Sequence, residues 1–422
     1  MNRAKSPRRF TRTFGPGLLW AGTAIGVSHL VQSTRAGADT GFSLLWVILI
    51  ALALKYPFFE FGPRYAAATG ESLIEGYHRL GRWAVWVYFL ITLSTALIIQ
   101  TTVGLFTASV FTYVLGVTWS IVTMGTLVMG GAGLLLWTGR FRALDSTMKG
   151  VLLLLAACTL VAATMALPRA TASYWIPWPS ANSDVVTFGF ILALVGWMPS
   201  AFDIAVWNSL WTLAKNRASG VKVTVEEALL DFRIGYVGTG IIAIAFLTLG
   251  ATVMYASDQS FSADGTTFSL QLVDLYASTL GAWSRPVILI AVVTTMFSTM
   301  LTVMDGFPRA ISRTYHVLRV GRDMAFEEDK GKLYWFSLWA LAGLTLVVFR
   351  FFVGSLTTMV DFATIISFIT APVLGYLNLR AVTADHVPVT FRPNRLLRVF
   401  SYLGLVLLGG TAIGFSLSLV WG

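Results

Sequence analysis

Apolar stretches about as long as a bilayer core is thick recur from one end of this 422-residue chain to the other. A run of roughly 20 residues is what a helix needs to cross that core. Taken between polar, proline and glycine breaks, the runs place spans at 15–38, 43–66, 84–113, 118–138, 143–167, 185–213, 233–256, 280–305, 335–353, 355–379 and 398–421. A water-soluble domain cannot hide so much apolar surface, because its exterior must stay polar enough to dissolve. Composition agrees: 56% of the residues are hydrophobic and 12% are charged, against about 25% charged in an ordinary soluble domain. The expected class is an all-α integral membrane protein of eleven spans.

The net charge of +10 raises the question of nucleic acid, and the position of the charges answers it. Arg3, Lys5, Arg8, Arg9 and Arg12 precede the first span, with no cleavage pattern of a signal peptide. Most other basic residues fall in alternate loops: Arg64, Arg79 and Arg82; Arg140, Arg142 and Lys149; Lys215, Arg217, Lys222 and Arg233; six between Arg309 and Lys332; four between Arg380 and Arg398. The opposite loops hold only Arg169, Arg285 and Arg350, beside Asp184, Asp258, Asp264 and Asp274. Cytoplasmic loops collect Lys and Arg, so this asymmetry predicts a cytoplasmic N-terminus, an extracytoplasmic C-terminus and a multi-pass protein of the plasma (inner) membrane. It also makes the basicity a topology signal, not a nucleic-acid footprint. Residues 1–12 read as a disordered basic tail and 168–184 as an ordered outer loop. Cys158, the one cysteine, has no disulfide partner.

Two spans are unusual. The first carries Gly15, Gly17, Gly22 and Gly26, followed by Ser28 and His29 at mid-depth. The sixth reads Val195-Gly196-Trp197-Met198-Pro199-Ser200-Ala201-Phe202-Asp203. Pro199 lacks a backbone donor and clashes with the preceding turn, so the helix should break near Met198. Glycine packing and a simple proline kink are the plain alternative. Two interruptions in register, each opening a block of five spans, instead mark an inverted-repeat transporter with a midplane site.

Several motifs resemble a known family. Gly15-Pro16-Gly17-Leu18-Leu19, Ala36-Gly37-Ala38 and Gly41-Phe42-Ser43-Leu44-Leu45-Trp46 are similar to the start of the NRAMP divalent-metal transporters. Ala68-Thr69-Gly70-Glu71-Ser72-Leu73, Phe141-Arg142-Ala143-Leu144 and Met198-Pro199 resemble later motifs in the same order. The resemblance implies a LeuT-like fold: two inverted five-helix repeats (13–167 and 185–380), helices 1 and 6 interrupted, and an eleventh helix in 381–422. It does not carry the metal site across. Where the family reads Asp-Pro-Gly-Asn in the first break, this chain has Gly26, Val27, Ser28 and His29. The family's Met-Pro-His is Met198-Pro199-Ser200, and its upstream carbonyl ligand would come from Val195. The third span has no acid for the family's proton pathway. Residue identity thus argues against simple manganese or iron transport.

The groups that remain define the candidates. Gly26, Ser28, His29, Val195, Met198, Ser200 and Asp203 form the expected substrate site, with His29, Met198 and Asp203 as ligands for a soft or borderline metal ion. Each also has a structural reading, as packing or as a hydrogen bond between helices. For Asp203 that reading is harder, since a charge at this depth costs at least about 2.5–3.5 kcal/mol and needs a partner or water. Arg35 and Lys55 are as costly. Either they pair with Asp39, Glu60 or Asp203, or they turn the pathway toward an anionic or zwitterionic solute. Ser298, Thr299 and Thr302 share a face of the eighth span and either hold a coupling ion or bond back to their own helix. Sodium coupling and facilitated diffusion therefore stand level with proton coupling, and no cofactor is expected. The expected function is an NRAMP-like secondary transporter of a small solute, a metal cation through a rebuilt site, or else a small organic or anionic solute. A non-transporting sensor or scaffold has no need of paired breaks with buried charges. An enzyme would need motifs such as HExxH, CxxC or a phosphate loop, and none is present.

Overall fold

In hydrocarbon a backbone N–H or C=O finds no water, so each span must satisfy its own hydrogen bonds. The chain meets this demand with helices throughout. The computed structural model describes residues 15–139, 141–170, 188–321, 331–351 and 354–421. The basic tail and most of the 168–184 loop lie outside the described residues.

The first span is α1 (Pro16–Ala24) and α2 (Thr34–Thr40), joined through a π-helical turn, Ser28–Ser33. Then come α3 (Leu45–Thr69), the short α4 (Leu73–Leu80), α5 (Arg82–Leu115), α6 (Ile121–Thr138) and α7 (Phe141–Ala166). The sixth span is α8 (Phe188–Trp197) and α9 (Asp203–Ser219). It is followed by α10 (Val225–Leu249), α11 (Gly265–Leu280), α12 (Ser284–Val320), α13 (Lys332–Phe351), α14 (Leu356–Thr383) and α15 (Arg395–Trp421). Nine described helices are long and apolar enough to cross a membrane unaided. The two remaining spans are the two that are broken, so the expected eleven are all there.

Two elements were not expected from the apolar runs. Helices α4 and α11 stand in matching places, each between the second and third spans of a five-span block. Both begin at a side-chain cap: Ser72 and Glu75 form a capping box, and Asp264 accepts from the Thr267 N–H. The eighth span also runs well beyond its apolar stretch. An Arg309–Asp305 pair at 2.8 Å and an Arg313–Glu75 pair at 2.6 Å neutralise two of the arginines that this extension carries.

Burial separates inner helices from outer ones. In α10, 72% of the apolar window is buried, but in α15 only 22%, which puts α15 at the lipid-facing rim with Leu403, Val406 and Ile413 exposed. The broken helices are bedded on inner ones by glycine. A Cβ on Gly17 would come 2.2 Å from the Asp231 carbonyl oxygen, one on Gly37 would come 2.0 Å from that of Leu247, and one on Gly250, just past α10, would come 2.1 Å from that of Thr34. Backbone therefore touches backbone where α1 and α2 cross α10. The sixth span meets α3 in the same way, with Gly62 against the Ala205 carbonyl. Small residues are how membrane helices approach this closely.

Candidate functional site

Both breaks open at one level. Helix α1 ends at Ala24, Ile25 leaves helical geometry, and the chain resumes when the Gly26 carbonyl accepts from the His29 and Leu30 N–H groups at 3.1 and 2.9 Å. A Cβ on Gly26 would lie 2.9 Å from Thr299 Cγ2 and 3.0 Å from its Oγ1. The position where the family resemblance implies a metal-binding aspartate is thus packed shut by α12. At the other break, α8 stops at Trp197, Pro199 offers no N–H, and α9 starts at Asp203. The Ser28 hydroxyl donates to Ala24 O at 2.6 Å, and its oxygen lies 3.3 Å from Pro199 O, so it stands between the two breaks.

A cavity lies between them. The space open to the centre of a water molecule is about 40 Å³, against roughly 10–15 Å³ for one water. Its polar lining is Thr23, Ser28, Ser200, Asp203 and Thr299, and Trp197 and Trp207 flank it among aliphatic side chains. Among the described residues, Asp203 is the only charged one on this lining. It is 2% exposed and sits in the first turn of α9, where the helix dipole favours a carboxylate. Thr95 Oγ1 donates to it at 3.5 Å, and among the described residues it forms no ion pair. The hydroxyls of Tyr77 and Tyr88 stand within its electrostatic reach. The Trp207 indole N–H has no partner among the described residues.

The other expected ligands turn away. His29 is fully buried, with Nε2 3.0 Å from the Thr239 carbonyl of α10, to which it can only donate, and Nδ1 2.7 Å from Ser28 Oγ. Met198 packs in an apolar cluster with Phe42, Val47, Leu194 and Leu247. The structure does not bring His29, Met198 and Asp203 together on one ion, and no three His, Cys, Asp or Glu side chains cluster as a metal site among the described residues. The reason is the register of the short helices flanking each break, which apolar periodicity does not resolve.

The intramembrane charges also find other partners than those expected. Arg35 pairs with Asp361 of α14 at 2.8 Å, joined by Gln32, and its guanidinium lies 4.9 Å above the Phe190 ring of α8. A lone acid in the tenth apolar run was the available signal for Asp361. Glu60 is held by Arg64 Nε at 3.0 Å, with Arg233 at 3.5 Å and the Tyr56 hydroxyl. Lys55 pairs with no acid among the described residues. Its Nζ donates to the carbonyls of Val195, Gly196 and Ser200 at 3.0, 2.9 and 2.9 Å. Of the coupling-ion candidates, Thr299 alone reaches the cavity. Thr299 and Thr302 bond back to the carbonyls of Thr295 and Ser298 at 3.0 and 2.8 Å.

Known proteins place these features. The family model described as "Natural resistance-associated macrophage protein-like" matches residues 17–418. An uncharacterized protein of Pasteurella multocida (strain Pm70) is 37% identical over 376 residues, 87% of this chain and 84% of its own length. A manganese transporter of Eremococcus coleocola superposes with a TM-score of 0.71 at 14% identity, over 98% of this chain and 87% of that one. MhsT, solved with L-phenylalanine, gives 0.63 at 14% identity, over 94% and 98%. At such identities the two structures establish the fold alone: a LeuT-like arrangement with its first and sixth helices interrupted. With the family model matched over nearly the whole chain, this multi-pass membrane protein belongs to the Nramp family of transporters.

Proposed function

We propose that the protein carries a small hard cation by alternating access, gripped by Asp203 and the surrounding hydroxyls in place of a thioether–imidazole set. The observation that carries this reading is Asp203, which is buried and, among the described residues, is without an ion pair and the sole charge on the cavity wall. The donors beside it are oxygens of Thr23, Ser28, Ser200 and Thr299, which suit hard ions. One carboxylate is too little to compensate a bare divalent ion. The space beside it admits roughly three waters, so the ion keeps part of its water shell, as magnesium sites commonly do.

Alternating access would take place around the breaks of the first and sixth spans, within the two five-helix repeats 13–167 and 185–380, with α15 outside them. The Arg35–Asp361 pair bridges the first and tenth spans on the side that the basic-residue asymmetry makes outer. The Glu60–Arg64–Arg233 and Glu75–Arg313 groups lie on the inner side. The test is uptake into proteoliposomes of magnesium, calcium and manganese ions, with Asp203→Asn alongside. Saturable uptake that Asp203→Asn abolishes without lowering the melting temperature supports the reading. Uptake that the substitution leaves intact overturns it. Weak manganese uptake, compared with a relative bearing Asp-Pro-Gly-Asn, is the expected selectivity.

A second reading has its own observation. Trp197 and Trp207 flank the cavity, and the unpaired indole N–H of Trp207 is a donor looking for an acceptor. A small organic solute with one cationic group and one acceptor fits that lining. Thermal shifts produced by such solutes and not by metal ions would favour it, since a ligand that binds only the folded state raises its stability.

A further inference from the structure

At the sixth-span break the regular helical ladder stops, the Val195 carbonyl keeping, among the described residues, only the Met198 N–H at 3.2 Å, and Lys55 supplies further donors. Its side chain rises from α3, is 1% exposed, and brings one ammonium to three carbonyl oxygens within 3.0 Å. Two aromatic faces complete the shell: Nζ lies 5.1 Å from the Phe202 centroid and 5.7 Å from that of Phe59. No carboxylate joins this shell among the described residues. Neutral carbonyls and ring faces around a single positive charge are a coordination sphere for a monovalent cation. A divalent ion would require anionic oxygens to offset its dehydration.

Lys55 is also set back from the cavity. It does not belong to the lining, although Ser200, whose carbonyl it holds, does. The ammonium therefore approaches the break from the α3 side while the proposed substrate approaches from the α5 and α12 side.

We propose that Lys55 is a tethered cation, filling a monovalent-cation site at the sixth-span break and making the break independent of any free ion. The covalent tether removes the translational cost of capturing an ion and keeps the Val195 carbonyl permanently occupied. That carbonyl is the one the family resemblance implies as a metal ligand, so the same residue denies it to the transported ion. The inference stands apart from the identity of the substrate, because its readout is stability and not transport.

The experiment uses the full chain in detergent with Lys55→Met, which keeps the apolar stem and removes the head, and Lys55→Gln, which keeps N–H donors without charge. Melting temperatures are read in potassium, ammonium, sodium and choline chloride at equal ionic strength, with magnesium and manganese chloride in parallel. Wild type is expected to melt alike in all four monovalent salts. Both variants should melt lower in choline and recover most of the loss, saturably, in potassium or ammonium. A cation effect shared by wild type and removed by Asp203→Asn belongs to the cavity and is subtracted, so the two readings fail separately. Three results overturn the proposal: Lys55→Gln as stable as wild type in choline, recovery by divalent ions alone, or no recovery of either variant in any salt, including failure to fold in all of them.

Discussion

The two breaks face one cavity and are held open by opposite means. At the first, the freed groups are taken up by neutral partners, Gly26 O by two N–H groups and Ala24 O by the Gly26 N–H and the Ser28 hydroxyl, while His29 ties the turn to the Thr239 carbonyl of α10. At the sixth, three carbonyls converge on the Lys55 ammonium, and a carboxylate, Asp203, opens the next helix. The acid that the family resemblance implies for the first break is absent there, and an acid stands past the second. The charge thus stands on the other side of the cavity from where the resemblance implies it. The general point is that a broken membrane helix needs its freed groups satisfied, and that neutral or ionic partners both suffice.

If the sixth-span break is the working side, the largest effect belongs to Asp203→Asn. Substrate uptake should fall at least about tenfold, since losing a charge-assisted contact of about 1.4 kcal/mol or more has that consequence. Ser28→Ala, across the cavity, should lower uptake far less. Equal losses in proteoliposome assays would erase the asymmetry between the breaks.

Gly26→Asp asks whether the first break can take its carboxylate back. The new Cβ would meet Thr299 at 2.9–3.0 Å, and overpacking of this kind costs about 1–3 kcal/mol. The melting temperature should drop and be partly restored by Thr299→Ala. A single variant as stable as wild type would show that α12 yields freely.

The link between the first and tenth spans comes next. Arg35→Gln and Asp361→Asn should each destabilise, and the double variant should be less damaged than their sum, with a coupling of about 0.5–3 kcal/mol. Additive losses in denaturation would mean that the pair closes nothing. The smallest effect is expected at His29→Phe. It removes the buried hydrogen bonds to Thr239 and Ser28, each worth about 1 kcal/mol, and should leave the KM for the substrate unchanged. A changed KM would return His29 to the site.

Residues and their order were enough to read the architecture. Apolar run length, basic-loop asymmetry, the glycines of the first span and Pro199 together specify eleven spans with breaks near Gly26 and Met198, because each acts over one or two helical turns. The same local signals single out Asp203 and Lys55 as charges at a depth where charge is expensive. What those charges do was decided elsewhere. Whether His29 faces the cavity or Thr239, whether Arg35 meets Asp39 or Asp361, and whether Lys55 finds an acid or three carbonyls all depend on how helices far apart in sequence are rotated against one another. Glycine contacts such as Gly17 on Asp231 and Gly250 on Thr34 set that rotation by allowing backbones to touch. It is a property of packed surfaces, with no period in the sequence to announce it.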